Sequence, residues 1–293
     1  MQIFDRKTQT LIQQPEVGIG AIRFVYGTSL GRMLAKGILC RKFVSNAYAA
    51  WQKSCFSRGK VRKFMAQYQI SVDDCTTREF PNFNAFFTRR RRCYVNQTPE
   101  TGLPAIADAK LTALPIDGQS VCTVKGVPYT VAELLDDAAL AARYVGGLCL
   151  IFRLAPSDYH RYAYPDNGRQ DTTRLVPGVL HTVHPLAADL RVYRRNTRTV
   201  TVLHTEHFGQ IVQLEVGALL VGKICNHCET DGEFTKLQEK GYFAYGGSTV
   251  ILLLQHGTAV PDADIAAQSA AGIETQVHLG EQVASVPKQE VTP

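Results

Sequence analysis

The sequence predicts an α+β protein: basic amphipathic helices in the first hundred residues, then a β-rich domain of antiparallel sheets. Three observations carry this. Charge divides the chain. Residues 1–100 hold 17 Lys and Arg against 6 Asp and Glu, a net of +11, while residues 101–293 hold 15 against 20, a net of −5. Apolar residues recur at three- and four-residue steps over residues 21–40, as on one face of a helix. Beyond about Leu103, short runs of Val, Ile, Leu and Thr alternate with Gly, Pro, Asp and Asn, the pattern of strands and tight turns. With 293 residues, 45% hydrophobic and 20% charged, the chain has material for a sizeable core and is not of the disordered class.

The elements follow in order. Residues 1–20 read as an irregular or short-strand lead-in. Over 21–40 the helical stripe is Ile22, Tyr26, Leu30, Met33, Leu34 and Ile38, with Arg23, Arg32 and Lys36 beside or opposite it. Residues 46–67 read as further helix, carrying Trp51, Phe56 and Phe64 among basic residues. Such a helix either lies in a membrane interface or packs on its own domain. Arg89 to Arg92 form an unbroken basic run, which either meets phosphate groups or is a solvated loop. Residues 131–143, rich in Ala and Leu, read as one interposed helix. Strands are expected at 147–154, 176–180, 200–204, 210–221 and 249–255. No apolar run approaches 18 residues, so no transmembrane helix is expected. The first seven residues lack a signal pattern, so secretion is not expected. Eight scattered cysteines read as free thiols in a reducing cytosol rather than as a disulfide framework.

Three places could carry chemistry. Cys225-Asn-His-Cys228 offers metal-ligand types, but it is a lone CxxC and His204 or His207 would have to complete it; no metal site is expected. Ser248 follows Gly246-Gly247 at a turn and precedes the apolar run 250–254. It is either loop material or a nucleophile facing the uncrowded Gly247 carbonyl. His160 follows Asp158-Tyr159 just after an apolar strand, where titratable groups build active sites.

Taken in register, these segments resemble the phosphatidylserine decarboxylase proenzyme family. The resemblance runs through Phe83-Asn-Ala-Phe-Phe-Thr-Arg89, Ala107-Asp108-Ala-Lys110, Lys125-Gly126-Val-Pro-Tyr129, Leu154-Ala-Pro-Ser-Asp-Tyr-His-Arg161, Val216-Gly-Ala-Leu-Leu-Val-Gly-Lys-Ile224 and Gly241-Tyr-Phe-Ala-Tyr-Gly-Gly-Ser-Thr249. It implies a proenzyme that cuts itself between Gly247 and Ser248. The products are a β chain of residues 1–247 and an α chain of residues 248–293, with a pyruvoyl group made from Ser248. It implies conversion of phosphatidylserine to phosphatidylethanolamine and CO2 through a Schiff base on that group, by an enzyme with N-terminal helices that touch membrane. The implied address is peripheral, on the cytoplasmic face of the cell membrane, with an anionic lipid surface as partner and no nucleic acid. Homo-oligomers of the cut pair are left open.

Two departures shape the site reading. The widely seen family form has a histidine three residues after His160, assigned to a self-processing triad; here that position is Ala163. His160 and then His184 are the histidines considered in its place. His160 is also the expected proton donor in decarboxylation. Ala109 stands where the aspartate motif usually has glycine. Asp108 is preferred to Asp117, whose Pro115-Ile-Asp-Gly118 imitates the motif but lies too close to Lys125-Gly126. Rival readings are an inactive phospholipid-binding protein, a pyruvoyl decarboxylase of another amine-bearing acid, and a lipoyl-like carrier suggested by the hairpin pattern at 216–224.

Overall fold

The computed structural model describes residues 2–14, 19–28, 31, 48, 50–92, 96–119, 121–124, 127–179, 192–217, 223–244 and 248–287. Nineteen strands are described. The chain opens with β1 (Gln2–Asp5) and β2 (Thr10–Gln13). After the helical region come β3 (Gly102–Pro104), β4 (Ala109–Pro115), β5 (Val121–Val124), β6 (Val127–Thr130) and β7 (Leu148–Leu154). Then follow β8 (Arg161–Ala163), β9 (Gly168–Gln170), β10 (Arg174–Val176), β11 (Arg198–Thr205) and β12 (Gln210–Val216). The last are β13 (Lys223–Asn226), β14 (Gly232–Phe234), β15 (Glu239–Ala244), β16 (Ser248–Leu254), β17 (Val260–Pro261), β18 (Glu274–Val277) and β19 (Gln282–Ser285).

The main sheet runs β14-β9-β11-β12-β16-β7-β4-β18-β1-β2, with β10 also paired to β11. Its pairs are antiparallel except β1 with β18, which is parallel. Strands from opposite ends of the chain meet there, and no tight turn dictates their direction. Every residue of β16 is buried, and its unbroken Val250-Ile-Leu-Leu-Leu254 run suits a strand covered on both faces. One cover is the small sheet β13-β15-β8. Lys240 of β15 reaches down to Glu215 of β12 (2.8 Å) and Thr201 of β11 (3.1 Å), and both charges are fully buried. Over β4, the helix Ala263–Ala270 packs with its Ser269 hydroxyl accepting the Ala113 N–H at 2.9 Å.

The helices are shorter than periodicity alone implies. Helix Ile19–Gly27 overlaps the start of the expected 21–40 stretch; residues 29–30 and 32–40 lie outside the described residues. In the 46–67 stretch the helix breaks at Ser54, whose hydroxyl takes the Trp51 carbonyl at 2.6 Å and so competes with the helical ladder. A 3-10 turn, Cys55–Ser57, then leads into helix Arg58–Tyr68. That helix lays Val61, Phe64 and Met65 on Phe83 and Phe86, so this basic helix packs on its own domain. The single helix expected at 131–143 is three short pieces, Val131–Leu135, Ala138–Ala141 and Ala142–Tyr144. Asp136 ends the first in the left-handed region (φ 52°), and the Asp137 side chain caps the second. The strand expected at 176–180 stops at Val176, before Pro177, which has no N–H for a ladder. Of the expected 210–221 strand, β12 covers 210–216; residues 218–222, and with them most of the lipoyl-like hairpin, lie outside the described residues.

Candidate active site

The site is set by strand register at one end of the two layers. Ser248, the first residue of β16, lies opposite Leu154, the last of β7. Val250 lies opposite Glu215, and Glu215 faces the small sheet through Lys240. Side chains two apart on a strand share a face. Ser248 Oγ therefore points toward the same small sheet. The small sheet's β15 ends at Ala244 and β16 begins at Ser248; residues 245–247 lie outside the described residues.

A described crossing links the two sheets at this end. From Leu154 the chain passes through residues 155–160 into β8, and the His160 carbonyl accepts the Phe243 N–H at 2.9 Å. His160 thus sits at the end of the small sheet from which the chain departs for Ser248. Asp158 shapes this crossing. Its Oδ2 accepts the Ala155 N–H at 2.7 Å, and both its oxygens take the Lys110 ammonium at 2.6 and 2.8 Å.

Both reacting candidates are fully buried. Neither Ser248 Oγ nor His160 Nε2 has a hydrogen-bond partner among the described residues. Buried polar atoms without partners are uncommon and ask for an explanation. His160 Nδ1 lies 2.9 Å from the Asp158 carbonyl. A carbonyl only accepts, so Nδ1 carries the proton and Nε2 presents its lone pair. The Phe87 ring lies on the imidazole, centroids 3.9 Å apart. Burial pushes the His160 imidazole down to about 3; the Asp158 carbonyl works against this, and the Arg89 and Lys110 charges add to it. At neutral pH His160 is an uncharged base.

Asp108 is buried at the start of β4. It accepts from Arg91 Nη2 (2.6 Å) and Nη1 (3.2 Å) and from the Leu279 N–H (2.9 Å). Burial would raise its carboxyl, but the Arg91 charge and these hydrogen bonds hold it below the usual carboxylate range. The described hydrogen bonds bring Asp108 to Arg91, not to Ser248 or His160. Asp117 is exposed beyond Pro115, the far end of β4, which itself lies roughly 20 Å of strand from the Ser248 row at 3.3 Å per residue. Ala163 is buried with Tyr159, Leu237 and Leu279. Since the Leu279 N–H is held by Asp108, a side chain larger than alanine at 163 would extend beside that carboxylate. His184 and Gly247 lie outside the described residues.

Several residues of the site escaped sequence reasoning. Of the run Arg89 to Arg92, Arg91 bridges Asp74 and Asp108, its N–H donates to Tyr159 Oη at 3.1 Å, and Arg92 Nε donates to the Cys75 carbonyl. Arg161 holds the Thr88 and Arg89 carbonyls. These arginines are largely internal struts, clamping the Phe86-Phe87 segment over His160. Lys110, two residues from Asp108 on one strand face, was the readable signal for the Asp158 clamp. His278 Nδ1 stands 4.0 Å from Asp108. Its neighbour Val277 pairs with Ala109, three strands from Ser248, or roughly 14 Å, beyond direct reach of the serine.

His204 and His207 pair with Asp171 and Asp166. Among the described residues no cluster of three His, Cys, Asp or Glu side chains is placed to hold a metal ion. A cleft of about 520 Å³ opens beside the site, with Asp108, Lys110, Asp158 and Tyr159 in its wall. No helix among the described residues is long and apolar enough to cross a membrane.

Comparison with known proteins shows the family. Residues 83–285, which hold Asp108, His160 and Ser248, match the family described as phosphatidylserine decarboxylase. The chain is 38% identical to phosphatidylserine decarboxylase proenzyme 2 of Clostridium acetobutylicum over 286 residues, covering 96% of this chain and 97% of that protein. It is 32% identical to the proenzyme of Clostridium perfringens over 296 residues, 97% and 99% of the two chains. With the proenzyme of Desulfitobacterium hafniense it shares 33% over 290 residues, 97% of each. On the family match and on near-complete relatives above 30% identity, the chain belongs to the phosphatidylserine decarboxylase family.

Proposed function

We propose that this chain is a self-processing decarboxylase that converts phosphatidylserine to phosphatidylethanolamine and CO2 with a pyruvoyl group made from Ser248. The observation that carries the reading is the pair of buried, unpartnered atoms, Ser248 Oγ and His160 Nε2, at one end of the sandwich. In processing, Ser248 Oγ attacks the Gly247 carbonyl carbon and the peptide bond becomes an ester. Loss of the Ser248 Cα proton expels the Gly247 carboxylate and leaves dehydroalanine. Water then releases ammonia and leaves the carbonyl-bearing N-terminus of a 248–293 chain, separate from 1–247. Residues 248–254 remain held between β12 and β7.

A pyruvoyl carbonyl supplies the electron sink that ordinary side chains lack for decarboxylation. The residues present fit it: Ser248 is buried, and among the described residues no side chain hydrogen-bonds its Oγ. His160 Nε2 holds the lone pair that accepts or returns a proton, and the Asp158 carbonyl fixes its tautomer. Phe87 shields the imidazole. Asp108, through Arg91, secures Tyr159 beside His160 and supports processing by position. His184, in Thr182-Val-His-Pro185, stands as the alternative processing base on its sequence alone.

The substrate places the enzyme peripherally at an anionic, cytoplasmic membrane face. The net charge of +11 over residues 1–100 suits that surface, as do Phe56 and Trp51, exposed beside Arg58, Lys60 and Arg62. Intact mass of purified protein tests the reading. Wild type should yield a 46-residue fragment with a blocked, carbonyl-bearing N-terminus, and Ser248→Ala should stay one inactive chain. A cut Ser248→Ala protein, or wild type that releases no CO2 from phosphatidylserine, would overturn it.

A further inference from the structure

Arg89 stands apart from its three neighbours. Arg90 is exposed, 3.8 Å from Glu239, and Arg91 and Arg92 are internally bonded. Arg89 is 7% exposed, yet no carboxylate lies within ion-pair distance among the described residues. Its one described side-chain hydrogen bond is a long 3.4 Å contact to the Phe86 carbonyl. The guanidinium lies 4.9 Å from the Phe86 ring centroid and 5.9 Å from that of Tyr159. Aromatic faces ease the burial of a cation without neutralising it. Guanidinium cannot shed its proton to escape. It lines the cleft of about 520 Å³ that also touches Lys110, Asp158 and Tyr159.

Its backbone is held by the fold. Arg161 Nε takes the Arg89 carbonyl at 3.0 Å, and Phe87, two residues earlier, lies on His160. Among the described residues the cleft thus presents one unpaired cation, and its segment also covers the buried imidazole.

We propose that Arg89 binds the phosphodiester of the phospholipid headgroup. The proposal rests on the function given above. The substrate carries two anions. An ion pair to the carboxylate would hold the charge that must leave as CO2, stabilising the ground state over the transition state. The phosphodiester keeps its charge from substrate to product, so its pairing costs the reaction nothing. Planar guanidinium donors match phosphate oxygens in bidentate fashion. Four covalent bonds separate phosphorus from the reacting amine, so an anchored phosphate restricts how far that amine can lie from Arg89.

The test uses the processed enzyme and dihexanoyl phosphatidylserine. Arg89→Gln should still be cut into two chains, with KM raised roughly tenfold or more, as for loss of one charge-assisted hydrogen-bonding partner. Dihexanoyl phosphatidylethanolamine has the phosphate but no carboxylate, and its inhibition constant should rise by the same factor. Arg89→Lys should recover part of both. An unchanged KM overturns the proposal. A raised KM for phosphatidylserine with unchanged inhibition by phosphatidylethanolamine assigns Arg89 to the carboxylate and also overturns it.

If Arg89→Gln fails to process, wild-type enzyme is modified with phenylglyoxal and mapped by peptide mass. Glycerophosphoethanolamine should protect Arg89. Absence of protection, or protection by inorganic phosphate alone, overturns the assignment. Loss of CO2 release by wild type would instead refute the decarboxylase reading itself.

Discussion

The His160 imidazole offers a quantitative test of the site. In the unfolded chain it titrates near 6.5; in the fold, burial against Phe87 lowers it to about 3. A folded value below the unfolded one means the unfolded state binds the proton first. Stability is therefore fully present above the unfolded value and is lost as pH falls from about 6.5 toward 3. Between pH 7 and pH 5 the loss from this one group is about 2 kcal/mol, since each unit is worth about 1.4 kcal/mol. Any folded value below about 4 gives that same figure over this window. The perturbation is His160→Gln, close in size and without a titratable ring, made in Ser248→Ala so that the chain stays uncut. The assay is urea unfolding of both proteins at pH 7, 6 and 5. The His160 protein should lose about 2 kcal/mol relative to the His160→Gln protein across that window, whatever the constant offset between them. Parallel curves would mean that His160 titrates normally in the fold, and the argument for a neutral buried base would fall.

Other outcomes follow from the same contacts. Lys110→Met leaves Asp158 charged and largely buried, and should cost about 3–5 kcal/mol with slowed decarboxylation; a thermal melt within a degree of wild type would refute the clamp. Asp117→Asn should change stability by less than about 0.5 kcal/mol and leave self-cleavage intact, whereas Asp108→Asn should impair both; gel-based cleavage time courses separate them. Ala163→His should cost about 1–3 kcal/mol by overpacking yet speed self-cleavage, by placing an imidazole beside Asp108; an unchanged or slower rate would contradict that geometry. Binding to vesicles rich in anionic lipid should weaken as salt rises toward 1 M, where screening reaches about 3 Å; equal binding to neutral vesicles at all salt concentrations would contradict the surface assignment.

Much of the site was legible from local pattern. The runs 250–254 and 147–154 announced strands, because short apolar runs bounded by turn residues read as such. Ser248 and His160 stood out because their motifs are contiguous. The α+β class and the antiparallel sheets followed from turn residues between short apolar runs. Helix lengths did not, since single hydroxyls and carboxylates at Ser54, Asp136 and Asp137 redirect the backbone in ways a periodic stripe does not show.

What only the tertiary structure decided are relations between distant segments. Register placed Ser248 opposite Leu154 and left Asp117 at the wrong end of β4. Packing turned a run of four arginines into two internal struts, one exposed side chain near Glu239 and one buried cation, because the partners lie elsewhere in the chain: Asp74, Asp108, Cys75, Glu239. Burial, not composition, removed the charge from His160. Charge and ligand type can be read along a chain, but whether a group is paired, desolvated or exposed depends on neighbours that sequence order separates, and only folding brings them within a few ångströms.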